Sequence, residues 1–348
     1  MSEKLKEALF YDKLDNNNVK CRLCAHNCLI PEGKRGICGV RENRAGTLYT
    51  LVYSKPIARH VDPIEKKPLF HFFPGSLAYS IATVGCNFRC KHCQNYDISQ
   101  YPRVSARIIG EDFSPQDVVA NAKRYQCRSI SYTYTEPTIF LEYAYDCARL
   151  AKLEGLYNTF VTNGYMNPEV LEYISEYLDA CNVDLKSFSE KFYTEICGAK
   201  LKPVLNALKK MRKLDIWIEV TTLFIPGIND SQKEMQEIAE FIYNELGPHT
   251  PWHVTRFYPA YKMNHLPPED VYKLKQAREI GIKTGLRYVY TGNVPGEEGE
   301  NTFCYNCGQI VIKRWGYNIL EYNIHNGKCK FCSVEIDGVG LQEVEDEN

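Results

Sequence analysis

Three cysteines stand within eight residues, in the run Cys86-Asn87-Phe88-Arg89-Cys90-Lys91-His92-Cys93. Their C-x3-C-x2-C spacing lets three thiolates converge on metal. Zinc with a distant fourth ligand would satisfy them. A four-iron cluster normally takes four cysteines, so three leave one iron without a protein ligand. An open coordination position is where a bound metal performs chemistry.

Two further groups flank this one. Cys304, Cys307, Cys329 and Cys332 form two C-x2-C pairs separated by 21 residues. That is the spacing of a closed four-thiolate site, and zinc is expected over iron. With every ligand position filled, its role is structural. Gly308 suits a tight turn whose N–H groups point at sulfur. Between the pairs, IVIKRWGYNILEYNI reads as a hairpin turning near Gly316 and Tyr317, so the whole resembles a zinc ribbon. At the amino end, Cys21, Cys24, Cys28 and Cys38 are spaced C-x2-C-x3-C-x9-C. Four thiolates this close also imply metal, either zinc as a second staple or an auxiliary iron–sulfur cluster. The spacing matches neither standard ferredoxin pattern, which leans the expectation to zinc.

The chain has 348 residues and 15 cysteines. An odd count without a secretory leader argues against a disulfide framework and for metal in a reducing compartment. The terminus MSEKLKEALFYDKLD lacks the apolar core of a signal peptide. The one long uncharged stretch, Pro68 to Phe88, carries His71, Pro74, Gly75 and Gly85 and does not read as a membrane span. A soluble, cytoplasmic protein is expected. Lys plus Arg (42) against Asp plus Glu (43) leaves a net charge of −1. Near-neutral charge, with no basic run interleaved with aromatics, argues against a nucleic-acid partner. EVEDEN at the carboxyl end reads as a frayed acidic tail.

From residue 77 strands and helices alternate. LAYSIATVG, SISYTY, LYNTFVTNG, ACNVDLK, WIEVTTLFIP and WHVTRFYP read as strands, and RYVYTG as one more. SPQDVVANAKRYQ, PTIFLEYAYDCARLAKLEG, NPEVLEYISEYL, SQKEMQEIAEFIYNELG and PEDVYKLKQAREIGIKTG read as helices between them. Two helical stretches near residues 188–197 and 202–213 follow the fourth strand. This alternation predicts an α/β fold with a parallel sheet. A partial (β/α) barrel of about six parallel strands is favoured over a doubly wound open sheet. The expected organisation is a Cys-rich metal-binding cap and proline-rich extended linker over residues 1–76, the core over 77–294, and the ribbon-like module over 295–348.

The other candidate residues follow successive strands. Thr135-Glu136 comes after the second strand, Thr162-Asn163-Gly164 after the third, and Asp184-Leu185-Lys186 ends the fourth. In parallel sheets the carboxyl edge is where sites are built. With these positions, CNFRCKHC resembles the signature of the radical S-adenosylmethionine (SAM) enzymes, with His92 at the usually aromatic position. The resemblance covers roughly residues 77–294. VGCNFRCKHCQNYDISQ, YTEPT, VTNG and GNVPGEEGENTFCYNCG are similar to the branch called AmmeMemoRadiSam, often described as pyruvate formate-lyase activating enzyme-like.

The resemblance implies a 4Fe-4S cluster on Cys86, Cys90 and Cys93, with SAM held by Thr135, Glu136, Thr162, Asn163, Asp184, Lys186 and His92. Glu136 would meet the SAM ammonium and Lys186 its carboxylate. It also implies an external one-electron reductant and an unidentified substrate, either a small molecule or a protein residue. The activases of this superfamily carry an acid before their Thr-Asn pair, linked to a monovalent cation. Here that position is Val161. An activase acting on a glycyl-radical partner enzyme is one alternative. A non-enzymatic zinc-binding adaptor is another, but it leaves the C-x3-C-x2-C group unexplained. A non-radical methyltransferase would want a Gly-rich loop after its first strand, and there is none.

Overall fold

The computed structural model describes residues 5–341. The expected acidic tail lies outside them. Eight strands form the central sheet, numbered here in chain order: β1 Ala58–Pro63, β2 Leu77–Ala82, β3 Ser129–Tyr132, β4 Tyr157–Thr162, β5 Ala180–Asp184, β6 Trp217–Phe224, β7 Trp252–Arg256 and β8 Val289–Gly292. Their spatial order is their chain order, without reversal. All neighbouring pairs are parallel except β1 with β2. A doubly wound sheet would reverse direction at a switch point, and this one does not.

The additional strand read in RYVYTG is present as Val289–Gly292, the seventh parallel strand. The sheet exceeds the expectation at its other edge. Ala58–Pro63, expected as linker, pairs antiparallel with β2 along its full length. Its one proline, Pro63, is its last residue, and an edge strand tolerates a proline because one side of its ladder is free.

Helices cover the sheet: α1 Pro115–Arg124, α2 Leu141–Leu153, α3 Pro168–Ile174, α4 Leu201–Lys213, α5 Gln232–Phe241 and α6 Val271–Thr284. Ser114 opens α1 with a capping box to Asp117, and Asp270 caps α6. The helix expected to open at Pro137 instead begins with a 3-10 turn, Pro137–Phe140, because the Glu136 side chain accepts from the Thr138 N–H there.

The cap is built from two small antiparallel sheets. Arg41 fastens it to α2: its Nη2 donates to Glu142 Oε1 at 2.6 Å, and both side chains are buried. The carboxyl-terminal module packs as its own small core around Tyr288, Tyr290, Val311, Ile312 and Ile324. A buried polar set ties it to the sheet. Glu219 of β6 accepts from the His71 and Phe70 backbones and from the His253 ring. His71 Nδ1 meets the Asp337 carbonyl at 2.6 Å, and its Nε2 meets the Tyr290 hydroxyl at 2.5 Å. Among the described residues, no helix is long and apolar enough to cross a membrane.

Candidate active site

Four loops meet at the carboxyl ends of β2 to β5. After β2 the chain turns through Gly85, at φ +100°, into Cys86. A Cβ at Gly85 would stand 2.6 Å from Val40 Cγ1 and 3.0 Å from the Cys38 carbonyl oxygen. Glycine is therefore required twice, by its dihedral and by the cap pressed against it. Cys90 is buried, while Cys86 and Cys93 are half-buried. The Phe88 N–H lies 3.4 Å from Cys86 Sγ, and Ser99 Oγ lies 3.4 Å from Cys93 Sγ. The Arg103 guanidinium straddles the loop, donating to the carbonyls of Cys86 at 2.5 Å and Phe88 at 2.7 Å.

After β3, Glu136 is buried and heavily used. Its Oε1 accepts from Thr138 N–H (3.1 Å), Thr138 Oγ1 (2.5 Å) and Thr162 Oγ1 (2.7 Å). Its Oε2 accepts from the Asn163 N–H at 2.8 Å. Asn163 then donates to Asn87 Oδ1 at 2.7 Å. One carboxylate thus clasps the loops after β3 and β4, and Asn163 passes the clasp to the cysteine loop. Burial pushes the Glu136 carboxyl upward, while its Thr138, Asn163 and Thr162 donors hold it down. Thr135 Oγ1 is committed to the Thr83 carbonyl at 2.8 Å.

After β5, Lys186 pairs with Asp184 at 3.0 Å. Burial works against its charge, but the Asp184 carboxylate and the Cys90 and Cys197 sulfurs raise its pKa well above the ordinary value. A fixed ammonium therefore faces the cysteine loop. His92 is buried with its ring 5.9 Å from that of Phe192. Burial, then Lys186, pulls its pKa down to about 3, so the ring is neutral.

The residues fit an iron–sulfur cluster with an open iron. Three thiols share one loop, and Asn87 Nδ2 and His92 Nδ1 are buried beside them without a partner. Burial and the nearby Glu136 push the Cys86 thiol well up. The hydrogen bond with Cys197, together with burial, does the same at Cys90. Such thiols ionise when a metal supplies the balancing charge.

The expected residues divide among three places. Cys86, Cys90, Cys93, His92, Thr135, Glu136, Thr162, Asn163, Asp184 and Lys186 gather at this edge. The other eight candidate cysteines lie in two separate groups of four. At the carboxyl-terminal one, the four sulfurs lie within 4.8 Å of one another. Cys304 to Cys332 is 3.6 Å, and Cys307 to Cys329 is 3.8 Å. Thiolates about 2.3 Å from a tetrahedral ion stand about 3.8 Å apart. The turns after both pairs match: the Gly308 and Ser333 N–H groups each donate at 2.8 Å to the carbonyls of Cys304 and Cys329. The four amino-terminal cysteines line a cavity inside the cap.

Several site residues carry no sequence signal. Cys197, Arg103 and Ser99 reach the cysteine loop from elsewhere in the chain, and no spacing marks them. Asn87 lies inside the motif and was legible only as filler. Beside Val161, Thr162 is engaged by Glu136, and Asp184 by Lys186. His253 lies near the start of β7, paired with Glu219.

The sequence profile of the radical SAM superfamily matches residues 80–242. The chain carries a radical SAM domain. It is 46% identical over 335 residues to the uncharacterized protein MJ0808 of Methanocaldococcus jannaschii, covering 96% of this chain and 99% of that relative. From the same organism, MJ1632, named for a glycyl-radical enzyme activating role, is 28% identical over 212 residues, covering 59% of this chain and 76% of that relative. Among solved structures, Streptococcus suis SuiB bound to S-adenosylmethionine aligns with a TM-score of 0.50 at 14% identity, over 66% of this chain and 53% of that one. That last likeness concerns the fold alone.

Proposed function

We propose that this radical SAM enzyme binds a four-iron cluster on Cys86, Cys90 and Cys93 and SAM at the facing loops, and generates a hydrogen-abstracting radical. The observation that carries the reading is the convergence of the three-cysteine loop, the Glu136–Asn163–Asn87 clasp and the Lys186 ammonium at one sheet edge. The chemistry supplied by a bound cluster and SAM is reductive: one electron enters the sulfonium, its bond to C5′ breaks, and methionine and a 5′-deoxyadenosyl radical result.

The chain's own residues hold and orient. Lys186 offers its charge to the SAM carboxylate. Glu136 fixes the Thr162-Asn163 turn and keeps a free lone pair on Oε2 for the ammonium. Thr135 ties the loop after β3 to the end of β2. Asp184 aims Lys186. His92 adds a neutral buried ring. The unbroken strand order supports a partial barrel whose mouth is this edge. The sulfur spacing at Cys304, Cys307, Cys329 and Cys332 supports structural zinc. Fifteen unpaired cysteines support a reducing, cytoplasmic setting with an external one-electron donor. The runs VGCNFRCKHCQNYDISQ and GNVPGEEGENTFCYNCG support the AmmeMemoRadiSam branch, and the likeness to MJ1632 supports an activase-like lineage.

The test is 5′-deoxyadenosine formation by anaerobically reconstituted protein with SAM and dithionite. Nucleoside from the wild type and none from Cys90→Ala is expected. Iron-replete wild type that makes no nucleoside with any reductant would sink the proposal.

A further inference from the structure

The two flanking cysteine groups have the same ligand set and different geometry. Among the described residues, the carboxyl-terminal four are the only group of three or more such ligand atoms drawn within 4.8 Å of one another. The amino-terminal four are not gathered in this way. Instead Cys21, Cys24, Cys28 and Cys38 line a small cavity together with Leu23, Ile30 and Arg41. Sulfurs around a single ion must close to tetrahedral contact. Around an iron–sulfur cluster the thiolates are shared among separate irons, so they stand further apart and enclose the inorganic core.

Arg41 supplies an independent observation. It is 1% exposed and lines the same cavity. Its Nη2 is used by Glu142 and the Leu9 carbonyl. Its Nε and Nη1 are buried with no partner. A buried guanidinium with two idle donors is costly unless an anion with acceptor atoms sits before it. Thiolates and sulfides of a cluster are such acceptors, and they outnumber those of a single ion. Apolar walls keep water out, as the low exposure of Cys21, Cys24 and Cys38 shows.

We infer that Cys21, Cys24, Cys28 and Cys38 hold an iron–sulfur cluster, with Arg41 donating to it. The site lies directly on the loop of Cys86. The Cys38 carbonyl abuts Gly85, His26 Nε2 is 2.9 Å from the Asn87 carbonyl, and Arg103 joins the Ile37 carbonyl to those of Cys86 and Phe88. The cap therefore places a second redox group one residue layer from the first, without covalent linkage between them.

The experiment removes the first site and asks what remains. A Cys86→Ala, Cys90→Ala, Cys93→Ala chain is reconstituted anaerobically. Iron, zinc and acid-labile sulfide are counted, and the electron paramagnetic resonance of the reduced sample is recorded. At least two irons per chain, matched by sulfide, with one zinc is the expected result. Cys24→Ser in that background should abolish the sulfide while retaining the zinc. The wild type gives a reading that needs no variant to fold: labile sulfide in excess of about four per chain supports the cluster. Two zinc ions and no labile sulfide in the triple variant would overturn it. Because that variant lacks the SAM-facing cysteines, its outcome is independent of the radical chemistry proposed above.

Discussion

Gly85→Ala probes the contact that joins the cap to the cysteine loop. Two costs follow from the geometry. At φ +100° an L-residue meets its own carbonyl oxygen, a strain of about 1–2 kcal/mol. The new methyl would also sit 2.6 Å from Val40 Cγ1 and 3.0 Å from the Cys38 oxygen. Overpacking of that kind costs about 1–3 kcal/mol. Together the loss is about 2–5 kcal/mol, a large fraction of an ordinary domain's stability. Urea unfolding of the metal-loaded chain, followed by two optical probes, measures it. The second arm is Val40→Ala. It removes the 2.6 Å contact and leaves both the dihedral and the Cys38 oxygen. In the double variant a coupling of about 1 kcal/mol or more should therefore be recovered, with the rest of the penalty retained. A Gly85→Ala chain within about 0.5 kcal/mol of the wild type would refute the close approach. A double variant with no coupling would show that Val40 is not what the methyl meets.

Three more outcomes are expected. Lys186→Ala should weaken SAM binding roughly 10- to 100-fold, the loss of a charge-assisted bond of about 1.5–3 kcal/mol. Equilibrium dialysis at unchanged iron content checks this, and unaltered affinity would remove Lys186 from the site. Cys329→Ser should release one zinc and speed amide exchange across Ile310–Trp315 while leaving Tyr157–Thr162 protected. Zinc retained at full occupancy would contradict that. The third concerns His71, whose pKa burial pulls down to about 4 from 6.5. The folded form then carries fewer protons than the unfolded one, so stability is full above about pH 6.5 and falls on acidification towards pH 4. About 3 kcal/mol of that fall should vanish in His71→Asn, as chemical denaturation at a series of pH values will show. An identical pH profile for the two chains would mean that His71 titrates normally.

The partition between legible and hidden follows particular residues. Metal-binding spacing is a property of neighbours along the chain, so Cys86, Cys90 and Cys93, and the paired C-x2-C groups, announced themselves. So did the strand–helix alternation, because apolar periodicity and caps such as Ser114 and Asp270 are local. The position of Glu136, Asn163 and Lys186 after successive strands was readable for the same reason: parallel strands put their carboxyl ends on one edge.

The uses of these side chains were not readable. Glu136 spends most of its acceptors on the Thr162-Asn163 turn, a partnership spanning 26 and 27 residues that no local pattern encodes. Ala58–Pro63 joins the sheet although it lies in a proline-rich stretch that suggests a linker, because only the open edge of β2 makes it a strand. Cys197 and Arg103 reach the cysteine loop through folding alone.

The amino-terminal cysteines mark the boundary most sharply. Their sequence sets four thiols within 18 residues and marks them as candidate ligands of a metal. It leaves open which one, because spacing along a chain does not set spacing in space. The tertiary structure adds what surrounds them: Leu23, Ile30 and Arg41 line the same cavity, and Glu142 of α2 holds Arg41 in place. The type of ligand is a local property of the chain, whereas the room between ligands and the charge facing them come from elements distant in sequence.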